Sequence, residues 1–196
     1  MRLAALIFAV LAGSASAQTL GGLTLGELIP DTAPDPLGTH IVEPFAITIW
    51  ALEDEIGLTA SRDAETGEIL YIEMWINAEV AHDTPIDGIR FGETTTEDIV
   101  ARFGSGGFAY ADRGRFVATD TILAHYLSYE IEGTDSVVIF VTHQPIETAS
   151  ADTVREGVLN TIMVGRASYM AATRGVDRNV PEGYRPIADP FPHQAE

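Results

Sequence analysis

The stretch Ile89-Arg90-Phe91-Gly92-Glu93-Thr94-Thr95-Thr96-Glu97-Asp98-Ile99-Val100-Ala101-Arg102-Phe103-Gly104 decides how the rest of the chain is read. Three threonines precede two acidic residues, which is the signature of a helix start. One of Thr94, Thr95 or Thr96 caps the first turn, and Glu97 and Asp98 set negative charge against its free amide groups. Ile99, Val100 and Phe103 form an apolar face. Gly104 closes the helix, because glycine accepts the left-handed conformation found just past many helix ends. Ser105-Gly106-Gly107 then turns the chain.

Downstream the pattern becomes strand-like. Phe116 to Ile131 reads as one strand, with Leu123, His125, Leu127, Tyr129 and Ile131 on one face. Glu132-Gly133-Thr134-Asp135 is a turn, and Val137 to Thr142 is a dense β-branched and aromatic return strand. Upstream, Gly22-Leu23-Thr24-Leu25-Gly26-Glu27 matches Gly88-Ile89-Arg90-Phe91-Gly92-Glu93. In the same register Leu37-Gly38 matches Phe103-Gly104, and Gly67 matches Gly133. This predicts two degenerate repeats, 22–87 and 88–148.

In the first copy Pro30, Pro34 and Pro36 replace the helix with a loop or a single turn. Its strands persist. Ala46 to Ser61 leads to a hairpin turn at Asp63-Ala64-Glu65-Thr66-Gly67. Glu68 to Ile76 returns with Ile69, Tyr71, Glu73 and Trp75 on one side and Leu70, Ile72 and Met74 on the other. Apolar residues on both sides imply a sheet covered on two faces, or one face that meets a partner.

Beyond Pro145 the period shifts toward 3.6. Thr153-Val154-Arg155-Glu156 fits a capping box, and Val154, Val158, Ile162 and Tyr169 align on one face. A C-terminal helix over 150–174 is expected, packed on the sheet and ending at Arg174-Gly175. The predicted fold class is therefore α+β: an antiparallel sheet from two helix/β-hairpin repeats, packed by a C-terminal helix, in one domain over 18–174. The proline-rich tail, 175–196, is expected to be extended or disordered.

The segment from Ile89 to Gly104 resembles the helical signature of the SmpA/OmlA outer-membrane lipoproteins. It is similar also to the repeat unit of secreted β-lactamase-inhibitor proteins. The resemblance covers about 50 residues and implies a non-enzymatic scaffold that binds other proteins through its sheet; no catalytic residues carry over. The chain departs from both groups. It has no lipid-acceptor Cys, no Cys pair, and a C-terminal helix that neither group explains.

The N-terminus reads as an export signal. Arg2 is the positive region, Leu3 to Ala12 the apolar stretch, and Ala15-Ser16-Ala17 the cleavage site. The apolar run is shorter than the ~20 residues that span a bilayer. The competing reading is a buried N-terminal helix. Cleavage after Ala17 gives a mature chain from Gln18, soluble, without an integral membrane segment, and periplasmic or secreted.

Composition narrows the functions further. The chain has no Cys, which excludes disulfides, thiolate metal sites and a Cys nucleophile. It carries 29 acidic against 11 basic residues, a net charge of −18. Such a surface repels phosphate backbones and anionic lipid, which argues against nucleic acid and peripheral membrane as partners. Acidity also keeps an exported protein soluble, so it does not by itself specify a basic partner.

Zinc-protease spacing, a Gly-x-Ser-x-Gly elbow and a phosphate loop are absent, and no motif calls for a cofactor. If the second hairpin centres on Thr134, His125 stands opposite His143 at ~5 Å, near enough to share a metal or to sense pH. Two unrelated sheet histidines is the simpler reading, because a slip of one residue abolishes the pair. The Glu53-Asp54-Glu55 cluster and the group Asp63, Glu65 and Glu68 lack the spacing of a calcium loop. Among the aromatics, Tyr71 and Trp75 are candidate anchors for a partner surface. The leading expectation is an exported, non-catalytic binding module whose partner is another exported protein. The alternatives are a small periplasmic hydrolase or lyase using the sheet histidines, and a soluble carrier of an apolar or cationic ligand.

Overall fold

A computed structural model describes residues 18–77 and 80–192. The expected export signal, Met1–Ala17, lies outside the described residues, as does the tail from His193 onward. In chain order the strands are β1 (Thr19–Leu20), β2 (Leu23–Thr24), β3 (Gly38–Val42), β4 (Phe45–Ala51), β5 (Ile56–Asp63), β6 (Ile69–Ile76), β7 (His82–Asp83) and β8 (Arg90–Phe91). Helix α1 (Thr96–Phe103) follows, then β9 (Ala109–Tyr110), β10 (Phe116–Ala118), β11 (Ile122–Glu130), β12 (Ser136–Pro145) and β13 (Val158–Arg166). Helix α2 (Ala167–Arg174) and β14 (Arg178–Asn179) complete the described chain. Mostly antiparallel sheet with two short helices places the protein in the α+β class.

One eight-stranded sheet dominates, in the order β10-β11-β12-β13-β6-β5-β4-β3. It consists of two four-stranded meanders joined at an antiparallel seam between β6 and β13, from Trp75↔Thr161 to Tyr71↔Gly165. Each meander is preceded by a two-stranded ribbon, β1–β2 or β7–β8. The Gly26 amide donates to Ile69 O and the Gly92 amide to Leu159 O, both at 2.8 Å. Both ribbons therefore tie into a strand of the central pair. The expected match of Gly67 with Gly133, however, falls in different turns, β5–β6 and β11–β12, and the second meander runs through β13, past the expected repeat bound at 148.

The pleat sorts the core into two layers. On one face Leu58, Ile72, Ile162, Phe140 and Leu127 pack beneath the ribbons, α1 and the end of the chain, in a cluster that includes Phe91 and Ile99. On the other, Tyr71, Met163, Ile139 and Val141 meet Phe108, Tyr110 and Met170. Strands buried on both faces read as continuous apolar runs, with their alternation masked.

That masking explains the main correction. The helix expected over 150–174 is instead a 3-10 turn (Val154–Glu156), strand β13 and the short α2. Thr153 makes no side-chain cap. Val158, Thr161, Ile162 and Val164 are β-branched and suit a strand, and β13 occupies the middle of the sheet. The tail is also corrected in part. It is extended, but β14 pairs with β9, and Ile187 and Phe191 enter the main core. The structural unit thus runs past 174.

Two strands expected to be continuous are broken. Thr119 turns the chain between β10 and β11, its amide donating to Ile122 O at 2.8 Å. Residues 52–55 turn it between β4 and β5. By contrast α1 forms as expected. Thr95 is its N-cap in a reciprocal capping box with Asp98, and Gly104 is its left-handed C-cap at φ 76°. No helix replaces the proline-bearing loop of the first copy, 30–37.

Candidate functional site

The sheet face opposite α1 is the less covered of the two. Strand registers place Ile47, Ser61 and Tyr71 in one row across it, and Ile49, Thr59, Glu73 and Met163 in the next. A third row runs Gly57, Trp75, Thr161, Val141 and Tyr126. Phe45, Ile47, Ile49, Trp75 and Tyr126 on this face are all half-buried. Phe45, Ile47, Ile49 and Trp75 form an apolar and aromatic strip that the protein only partly covers, and Tyr126 stands apart from it across the buried Thr161 and Val141. Trp75 lies flat over its cross-strand neighbour Gly57, where a Cβ would fall inside the indole.

Beside this strip a cleft of about 450 Å³ opens between the sheet and the segments above it. Its floor includes Tyr71, Glu73, Tyr126 and Met163; Arg113 and the end of α2, with Tyr169 and Arg174, form its roof. The rings of Tyr71 and Tyr169 stack at 5.2 Å between centroids, and Phe45 meets Tyr169 edge-on at 4.9 Å. The Tyr169 hydroxyl donates to Ser61 Oγ at 2.8 Å, which fixes α2 to β5. The Tyr71 hydroxyl donates to Glu73 Oε2 at 2.7 Å.

The cleft is electrostatically mixed. Arg174 Nη2 points to the Met163 thioether at 3.0 Å, a weak acceptor. Arg113 Nη2 donates to Thr173 O at 2.9 Å. Neither guanidinium has a carboxylate within 4.0 Å among the described residues, and Glu73 has no cation within that distance. Burial raises the Tyr71 phenol well above its ordinary value, the Glu73 carboxylate adds to the rise, and Arg174 opposes it. Burial likewise raises Tyr169, against the lowering effect of its bond to Ser61. Both phenols are therefore neutral donors at neutral pH.

The two histidines do not meet. His125 stands opposite Thr142, and His143 opposite Ala124, one residue from the expected register. A one-residue shift sends the two side chains to opposite faces. His125 is 9% exposed and stacks on Phe116 at 4.4 Å between centroids. Neither of its ring nitrogens has a hydrogen-bond partner in the protein. Burial, and secondarily Arg115, lowers its pKa to about 4. Burial also lowers His143. Neither lines the cleft.

Among the described residues, no three His, Asp or Glu side chains gather as a metal site. Glu53-Asp54-Glu55 makes the β4–β5 turn. Asp63 accepts the amides of Glu65 and Thr66 at 2.9 and 2.8 Å, which lowers its carboxyl pKa and identifies it as a turn residue. Of the sequence candidates, Tyr71 enters the cleft and Trp75 the adjoining strip. Arg113, Tyr169 and Arg174 escaped notice as site residues. They lie far from β6 in sequence, and the fold alone brings them over it.

No helix among the described residues is long and apolar enough to cross a membrane. Comparison with protein-family models, with curated proteins and with solved structures finds no match to this chain.

Proposed function

We propose that this chain is an exported, non-catalytic binding module that engages another exported protein through the open face of its sheet. The observation that carries this reading is the half-buried strip of Phe45, Ile47, Ile49 and Trp75 on one face. Protein-binding surfaces concentrate aromatic anchors, and Trp and Tyr dominate the residues whose loss weakens association most. The likeness of Ile89–Gly104 to the SmpA/OmlA and β-lactamase-inhibitor repeats supports the same reading. The test is retention of periplasmic proteins by the immobilised chain and by its Trp75→Asp and Ile49→Asp variants. A protein held by the wild type and released by both variants is expected. Equal retention by all three would sink the proposal.

A second reading, a soluble carrier, is favoured by the cleft roofed by Arg113, Tyr169 and Arg174. Its volume falls within the ~300–1,000 Å³ typical of small-molecule sites. Isothermal titration with small charged aromatic compounds tests it directly. Failure of every such compound to release or absorb heat would remove it.

A further inference from the structure

The cleft holds opposite charges that do not neutralise each other. Glu73 rises from the floor and Arg174 descends from the end of α2, with no ion pair joining them within 4.0 Å. The Tyr71 hydroxyl is held against Glu73 at 2.7 Å and also feels the Arg174 guanidinium. Arg174 Nη2 points to the Met163 thioether at 3.0 Å, a weak acceptor that leaves its charge without an anionic partner. Arg113 adds a second guanidinium on the same side as Arg174. Glu73 and Arg174 are half-buried and Arg113 is exposed. With no ion pair among them, a ligand bearing the complementary pair of charges would give each an oppositely charged partner.

We infer that the cleft binds a zwitterionic small molecule of the α-amino-acid class, its ammonium on Glu73 and its carboxylate on Arg174 and Arg113. The inference rests on the carrier reading above. Three physical points select this class. A simple anion would face the Glu73 carboxylate and the repulsion of a chain with net charge −18. A simple cation would face two guanidiniums. A zwitterion carries no net charge, so it enters without long-range repulsion and meets both signs at contact. Tyr126 and Tyr169 supply aromatic surface for an apolar side chain.

The test titrates the intact mature protein with L-phenylalanine, phenethylamine and 3-phenylpropionate, followed by calorimetry. The three share one ring and differ in charge. L-phenylalanine is expected to bind with Kd below ~1 mM, and each singly charged analogue at least ~10-fold more weakly, the value of one charged hydrogen bond. Arg174→Gln should bring L-phenylalanine down to the level of phenethylamine, and Glu73→Gln to that of 3-phenylpropionate. Circular dichroism of both variants separates lost binding from lost folding, and the analogue series on the wild type needs no variant at all. Equal or tighter binding of either analogue would overturn the zwitterion assignment while leaving the carrier reading intact. Absence of binding by all three would overturn both.

Discussion

Trp75 on β6 covers Gly57 on β5 so closely that the glycine's missing side chain is the space the indole fills. The contact holds the indole over the β5 backbone on the sheet face opposite α1. Gly57→Ala should therefore destabilise the fold by about 1–3 kcal/mol, the usual range for overpacking. In a Trp75→Val background the same change should have almost no effect. A double-mutant cycle by urea denaturation measures the coupling. Equal losses in both backgrounds would show that the indole is not what Gly57 makes room for.

The N-cap of α1 is a second point of leverage. Thr95 Oγ1 accepts the Asp98 amide at 3.1 Å, and the Asp98 carboxylate accepts the Thr95 amide at 2.9 Å. Thr95→Ala is expected to cost about 1 kcal/mol, and Thr95→Ser much less. The bonds to Thr95 hold the Asp98 carboxyl below its ordinary value. Its contribution is thus present at neutral pH and is lost as pH falls through that lowered pKa. Denaturation midpoints of the two variants near neutral and in acid check both statements.

How much of this was legible in the sequence depends on which signals were local. Helix α1 was readable because its cap, apolar face and closing glycine all lie within one short segment. The β5–β6 hairpin was readable for the same reason, through Asp63 and Gly67. β13 was not. Its residues are apolar on both faces, so period two is hidden, and the true helix α2 follows at once and lends its own period to the run. The histidine pairing failed on a single step of register, which a turn sequence alone does not fix. The cleft was half legible. Tyr71 and Trp75 stood out on a two-faced strand, whereas Arg113 and Arg174 reach it only through the path of the chain after β9 and after β13.

The β4–β5 turn stores a removable strain. Asp54 and Glu55 both adopt positive φ, 57° and 60°, between Leu52 and Ile56, whose backbones bond at 2.7 Å. Asp tolerates the left-handed region better than Glu, since its short side chain bonds locally. Glu55→Gly should stabilise the protein by about 0.5–1 kcal/mol, after the added freedom of the unfolded chain is counted. Asp54→Gly should give less. A higher urea midpoint for the first variant than for the second is the expected result; a lower midpoint for Glu55→Gly than for the wild type would contradict it.

His125 ties stability to pH. Its ring is buried against Phe116 without a hydrogen-bond partner in the protein, close enough to Arg115 for that charge to disfavour protonation. The folded pKa is about 4 against an ordinary 6.5, so the unfolded chain binds the extra proton between these values. Stability is therefore full above about pH 6.5 and is lost as pH falls toward 4, by an amount on the order of 3 kcal/mol. His125→Phe keeps a flat ring in the same place and removes the proton. The variant should gain on the wild type steadily through that window and show a constant difference above it. Carboxylates titrate in the same acid range, so the quantity to measure is the difference between the two proteins at each pH. Parallel curves from neutral pH down to about 4 would mean that the ring is not held neutral by its surroundings.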